Sequence, residues 1–150
     1  MLAVLMTAFG CDTATSPVDT VNPNRLRADG LHLIVSTSRP GANSLTFEIK
    51  VENRGPTDQT LVFGSSQAFD VEVRDRSGAI VWLWSHDKTF LPYMSEIELA
   101  AGESFTGSGT DWDLTGNDGN PLSPGSYKSK VFITCFPRDS GLVAEFLLTL

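Results

Sequence analysis

An all-β chain, folded as an antiparallel immunoglobulin-like β-sandwich of about eight strands, is what this sequence predicts, and three observations carry the prediction. Apolar and polar residues alternate in several short runs. The 13 glycines and 8 prolines are spread along the 150 residues, as turns between many short strands require. No window has the three-to-four spacing of an amphipathic helix over two turns or more. A hydrophobic content of 41% with 9% aromatics is enough for one core, and the length leaves no room for a second domain.

The first element in order is not a strand. Residues 1–9 read Met-Leu-Ala-Val-Leu-Met-Thr-Ala-Phe, too short for a helix across roughly 30 Å of hydrocarbon and the right size for a secretory apolar segment. They end at Gly10-Cys11, which resembles the lipobox of bacterial lipoproteins, where the cysteine takes lipid and becomes the new N-terminus. Residues 1–11 are therefore expected to be a signal peptide with lipobox, Cys11 the lipid attachment site, and the product an exported lipoprotein anchored in the cell envelope. The alternative is a buried N-terminal strand that ends in cysteine. Residues 12–30 are rich in Thr, Ser, Pro, Asn and Asp, the composition of a disordered, solvated tether, and the sandwich is expected over 31–150.

Within the sandwich, residues 31–38 come first. The clearest alternation is Leu45-Thr46-Phe47-Glu48-Ile49-Lys50-Val51-Glu52, a half-buried strand that Asn53-Arg54-Gly55-Pro56 stops. Residues 60–63 follow. Phe69-Asp70-Val71-Glu72-Val73-Arg74 repeats the pattern, turns at Asp75-Arg76-Ser77-Gly78 and returns over 79–84, the signature of a hairpin. Residues 94–99, 104–112, 127–135 and 142–150 complete the set. Period two places Phe47, Ile49, Val51, Phe63, Val71, Val73 and Val131 inside and Glu48, Lys50, Glu72 and Arg74 outside. The strand with Trp82 and Trp84 on one side and Val81 and Leu83 on the other is apolar on both faces, so it is either central or carries a binding face. The chain's 2 cysteines cannot make a disulfide framework, and Cys135 reads as a small buried hydrophobe.

Charge and motifs exclude several chemistries. Lys and Arg number 11 against 18 Asp and Glu, a net −7 that repels phosphate backbones, so no nucleic-acid partner is expected. No basic residue lies between Lys88 and Lys128, so one end or face is expected to be acidic. Ser85-His86-Asp87 holds the residue types of a nucleophilic triad, but neighbours on an extended chain point to opposite faces and cannot form the relay. His86 reads as a loop or edge residue. No Gly-x-Ser-x-Gly, paired histidine or Cys-x-x-Cys motif is present, and no enzymatic activity, cofactor or metal is expected. Asp111-Trp112-Asp113-Leu114-Thr115-Gly116 opens like a calcium loop, but Leu122 stands where the bidentate glutamate belongs. A polar turn through Asp113, Asn117, Asp118 and Asn120, with Gly116 and Gly119 at positive φ, is the structural reading.

Several stretches together resemble the bacterial BsuPI-type domain, named for an intracellular proteinase inhibitor. They are Val51-Glu52-Asn53, the run Leu61-Val62-Phe63-Gly64-Ser65-Ser66-Gln67-Ala68-Phe69-Asp70, Gly78, Val81-Trp82-Leu83-Trp84-Ser85, Phe90, Ala101-Gly102-Glu103, Trp112 and Pro124-Gly125-Ser126-Tyr127. The likeness spans 45–136, with Ser66 in place of a glycine, Phe69 of a tyrosine and Ala101 of a proline. It implies the sandwich architecture and a non-catalytic module that inhibits a serine proteinase. In the sequence the contact falls on 85–95, where large apolar residues flank Pro92. Leu91 and Tyr93 are the expected protease contacts, with Phe90 turned into the sandwich. The second reading is an envelope accessory or adhesion lipoprotein that binds another protein or a glycan. A protruding 85–95 loop favours the first, and a flat exposed aromatic face the second.

Overall fold

The computed structural model describes residues 30–136 and 141–150. The expected signal peptide, Cys11 and all of the expected tether but Gly30 lie outside the described residues. Nine strands follow in order: β1 (Leu31–Gly41), β2 (Ser44–Asn53), β3 (Gln59–Phe63), β4 (Phe69–Arg74), β5 (Ile80–Leu83), β6 (Ser95–Leu99), β7 (Ser104–Trp112), β8 (Ser126–Ile133) and β9 (Val143–Thr149). One sheet has the order β1-β2-β7 and the other β5-β4-β8-β9, while β3 and β6 form a separate pair. Every pairing is antiparallel.

The two sheets face each other across the side chains that alternation places inside. Phe47, Ile49, Val51, Phe63, Val71, Val73 and Val131 are all buried, and so is Cys135. Phe47 of β2 stands at the centre, its ring 6.1 Å from Trp82 of β5 and 6.4 Å from both Trp112 of β7 and Phe146 of β9. Gly107 of β7 lets the sheets approach, because a Cβ there would meet the Phe69 ring at 3.0 Å. The register of β2 against β7 shifts between Phe47 and Ile49, a bulge of the kind that sharpens local twist. Asn53, wholly buried, stitches β2 to the β3–β6 pair. Its amide donates to the carbonyls of Leu99 and Thr57 at 2.9 and 2.8 Å and its side-chain oxygen accepts from Gly55 N–H at 3.0 Å, so a buried amide has its partners.

The outward positions are less uniform than period two predicts. Glu48 is exposed and the side chains of Lys50 and Arg74 are about two-fifths exposed, but that of Glu72 is only 12% exposed. Glu72 lies in the sheet interior between Leu83 and Lys130, and the Arg74 guanidinium donates to both its oxygens at 3.0 Å. A charged residue on an outer sheet face is thus covered by its long neighbours.

The larger correction concerns β5, which is not central but an edge strand of the second sheet. Trp82 and Val81 pack against the core, while Ile80 is exposed. Asn117 lies against the open edge: its N–H donates to Val81 O at 2.9 Å, its side-chain oxygen accepts from Leu83 N–H at 2.6 Å, and its amide donates to Leu83 O at 3.2 Å. One asparagine thus pairs the edge as a further strand would, which is how an edge is protected against pairing with another chain. Asn117→Ala leaves the Leu83 groups without these partners and is expected to cost about 1–3 kcal/mol, read as a lower midpoint in urea with an unchanged slope.

Candidate functional site: the 85–95 loop

Between β5 and β6 the chain makes a turn at 84–87 and then runs without regular pairing to Ser95. The root of this loop is packed. Trp84 stacks on Phe69 at 4.5 Å, Phe90 packs against Trp84 at 5.9 Å, and the Lys88 ammonium stands 4.9 Å from the Trp84 ring. Phe90 is half-buried against Trp84, at the margin of the sandwich and not within its core. Beyond it the side chains face outward: Leu91 is 65% exposed, Tyr93 51% and Met94 66%.

Exposed does not mean loose. Leu91 is held through both backbone groups by one residue, Ser66: its N–H donates to Ser66 Oγ at 2.9 Å and its carbonyl accepts from Ser66 N–H at 3.0 Å. The same carbonyl accepts from Tyr93 N–H at 3.1 Å, a three-residue turn about Pro92, whose ring fixes φ. At the loop's start, Ser85 donates through N–H and Oγ to the Asp70 carboxylate at 3.2 and 2.5 Å. Asp70 is itself buried and also accepts from the Gln67 amide at 3.0 Å and from Val71 N–H at 2.9 Å. Pattern reading places the loop but misses Ser66 and Asp70. Hydroxyl and carboxylate residues beside a turn do signal side-chain bonding to backbone, but the partners lie 25 and 15 residues away.

The other constellations resolve differently. The Ser85 hydroxyl is spent on Asp70, while His86 is exposed in the turn, so Ser85-His86-Asp87 assembles no relay. The Lys88 ammonium holds the Asp87 carboxyl below its usual range. In the 111–122 segment each acidic side chain is engaged nearby: Asp111 accepts from Thr46 Oγ1 at 2.6 Å, Asp113 from the hydroxyl and N–H of Thr115, and Asp118 from Asn120. These bonds lower the carboxyls of Asp113 and Asp118 below the ordinary aspartate value, chiefly through the Thr115 hydroxyl and the Asn120 amide. Gly119 takes positive φ as expected, but Gly116 does not; Leu114, at φ 63°, does. Gly116 is needed for space, because a Cβ there would meet Val81 O at 3.0 Å and the Asp118 carboxylate at 2.7 Å. The Trp82 and Trp84 faces are not laid open as a platform either. Trp82 stacks on Trp112 at 4.8 Å, and Trp84 lies between Phe69, Phe90 and Lys88.

The sequence comparisons assign the family of this antiparallel sandwich. The model of the BsuPI family, described as an intracellular proteinase inhibitor, matches residues 31–136, from the first residue of β1 to the end of the segment that follows β8. The chain belongs to that family; β9 lies beyond the matched span. None of the curated proteins matches the chain at a significant level. Among solved structures, the chain is similar to the GH3 β-glucosidase of Bifidobacterium adolescentis, at 20% identity over 80% of this chain and 17% of that one, with a TM-score of 0.42. It is also similar to the β-glucosidase of Listeria innocua in complex with glucose, at 18% identity over 79% and 16%, TM-score 0.37. The CARDB domain of the PF1109 protein of Pyrococcus furiosus, in complex with di-metal ions, has 18% identity over 87% of this chain and 97% of that one, TM-score 0.39. The chain spans less than a fifth of the two β-glucosidases.

Proposed function

We propose that this chain is a non-catalytic inhibitor of a serine proteinase and that the 85–95 loop makes the contact, with Leu91 and Tyr93 as the side chains received by the enzyme. The observation that carries the reading is the combination at Leu91: an apolar side chain 65% exposed on a residue whose N–H and carbonyl are both bonded to Ser66. An inhibitor needs both properties. The side chain must reach a specificity pocket, and the backbone must already be ordered, since immobilising each rotamer-rich side chain on binding costs about 0.5–1.5 kcal/mol. Family membership supports the same reading, because the family is described by proteinase inhibition. Incubating the purified chain with a panel of serine proteinases tests it. Residual activity is expected to fall for enzymes with large apolar specificity pockets, and undiminished activity across the panel refutes it.

For placement, we infer an exported lipoprotein anchored through Cys11. The apolar run ending at Gly10-Cys11 and the polar residues after it support this reading. Lipid attachment of two or more acyl chains gives stable membrane binding where one does not. The native chain is expected in the membrane fraction, labelled by palmitate, and Cys11→Ser in the soluble fraction. A native chain without label contradicts the inference.

A further inference from the structure

We propose that Asp70 is the positioning residue of the contact loop: buried beneath it, its carboxylate holds both the loop's root and the turn that tethers its exposed part. The inference rests on the inhibitory reading above and adds the element that makes the loop rigid. Asp70 is 6% exposed and, among the described residues, forms no ion pair with lysine or arginine. A buried carboxylate in that position is tolerated because hydrogen bonds to its charged form replace the water it has lost. It accepts four: Val71 N–H and Ser85 N–H on one oxygen, Ser85 Oγ and the Gln67 amide on the other.

The destinations of those bonds give the role. Ser85 is where the loop leaves the sheet. Gln67 belongs to the same turn as Ser66, and Ser66 holds Leu91. The turn is itself braced, since Gln67 N–H donates to Ser65 Oγ at 3.2 Å and the Gln67 carbonyl accepts from the Thr134 hydroxyl. The chain of contact therefore runs from Asp70 directly to the root and through Gln67 and Ser66 to the middle of the loop, while Leu91 and Tyr93 stay free to touch a partner. An apolar residue at position 70 would fill the space but supply no acceptor, and the loop would then have to be ordered at the moment of binding.

The test uses the full chain in three variants: Asp70→Asn, Ser85→Ala and, as a control in the outer strand of the other sheet, the core truncation Val35→Ala. Asp70→Asn is expected to weaken inhibition by roughly tenfold or more and to be cut within 85–95 by the proteinase that the native chain resists. Ser85→Ala, which removes one hydroxyl and keeps the chain foldable if Asp70→Asn does not fold, should weaken inhibition several-fold. Without any proteinase, amide exchange at position 85 should quicken in both variants, and at Leu91 in Asp70→Asn. Val35→Ala should lower the melting temperature yet leave inhibition and the exchange of Leu91 as in the native chain. Exchange at position 85 unchanged in Ser85→Ala, exchange at Leu91 unchanged in Asp70→Asn, or inhibition weakened as much by Val35→Ala as by Asp70→Asn, overturns the positioning role. A native chain that inhibits no proteinase on the panel overturns the inhibitory reading, a failure distinct from intact inhibition with an unaltered loop.

Discussion

Replacing Leu91 and Tyr93 together by aspartate is expected to abolish inhibition, weakening it by roughly a thousandfold, while the chain melts at nearly its native temperature. Anchor residues at a protein interface typically contribute about 2 kcal/mol or more each, and about 1.4 kcal/mol is a factor of ten, so losing both removes the useful range of affinity. A carboxylate forced into an apolar pocket adds its own desolvation cost. The fold should not notice, since both side chains are more than half exposed and surface changes of this kind stay within about 0.5 kcal/mol. Leu91 is tied by its backbone, which the substitution retains. A double variant that unfolds would place these residues in the core; one that folds and still inhibits would move the contact elsewhere on the molecule.

Phe47→Ala is expected to be the most damaging single truncation of the core, at about 3–5 kcal/mol. The Phe47 ring is wholly buried and is shared by both sheets, with Trp82, Trp112 and Phe146 around it. None of these rings can move into the vacated space without leaving another contact, so a cavity remains. The loss is a large fraction of the stability of a domain of this size. Denaturant titration should show it as a fall in midpoint, and native-like stability in the variant would mean that the sheets close over the gap.

How much of this was legible in the residue order depends on whether the deciding contacts are local. β2 was readable because its two faces differ at every step, so Phe47, Ile49 and Val51 are assigned inward by period alone. The hairpin from β4 to β5 was readable because Asp75-Arg76-Ser77-Gly78 carries its turn chemistry within itself: Asp75 accepts from Ser77 and Ala79, and Gly78 takes the left-handed conformation. The edge position of β5 was not. A strand apolar on both faces reads as central, and the residue that closes its open side, Asn117, lies 34 positions from Leu83. Asp70 was hidden for the same reason: within Phe69-Asp70-Val71 it occupies a polar, outward position, and two of the four donors that make its burial tolerable, both from Ser85, arrive from the root of another loop. The candidate loop was thus legible as a segment, from Pro92 and its apolar neighbours, but its tethers were not. Rigidity is a property of tethers that span the fold.

The clustering of the rings also gives the molecule an optical signature. The three tryptophans of the chain fall in two groups of rings: Trp82 stacks on Trp112 at 4.8 Å beside Phe47, and Trp84 lies between Phe69 and Phe90. Indoles at that separation couple electronically, so the stacked pair should give a paired positive and negative ellipticity band that vanishes when the sheets part. Trp84 reports a different event. Because Phe90 and Lys88 lie against it, an enzyme that seizes the loop and shifts either neighbour will change its emission. The protein thus carries two unlabelled probes in separate groups of rings, one for the closure of the sandwich and, under the proposed function, one for occupancy of the loop.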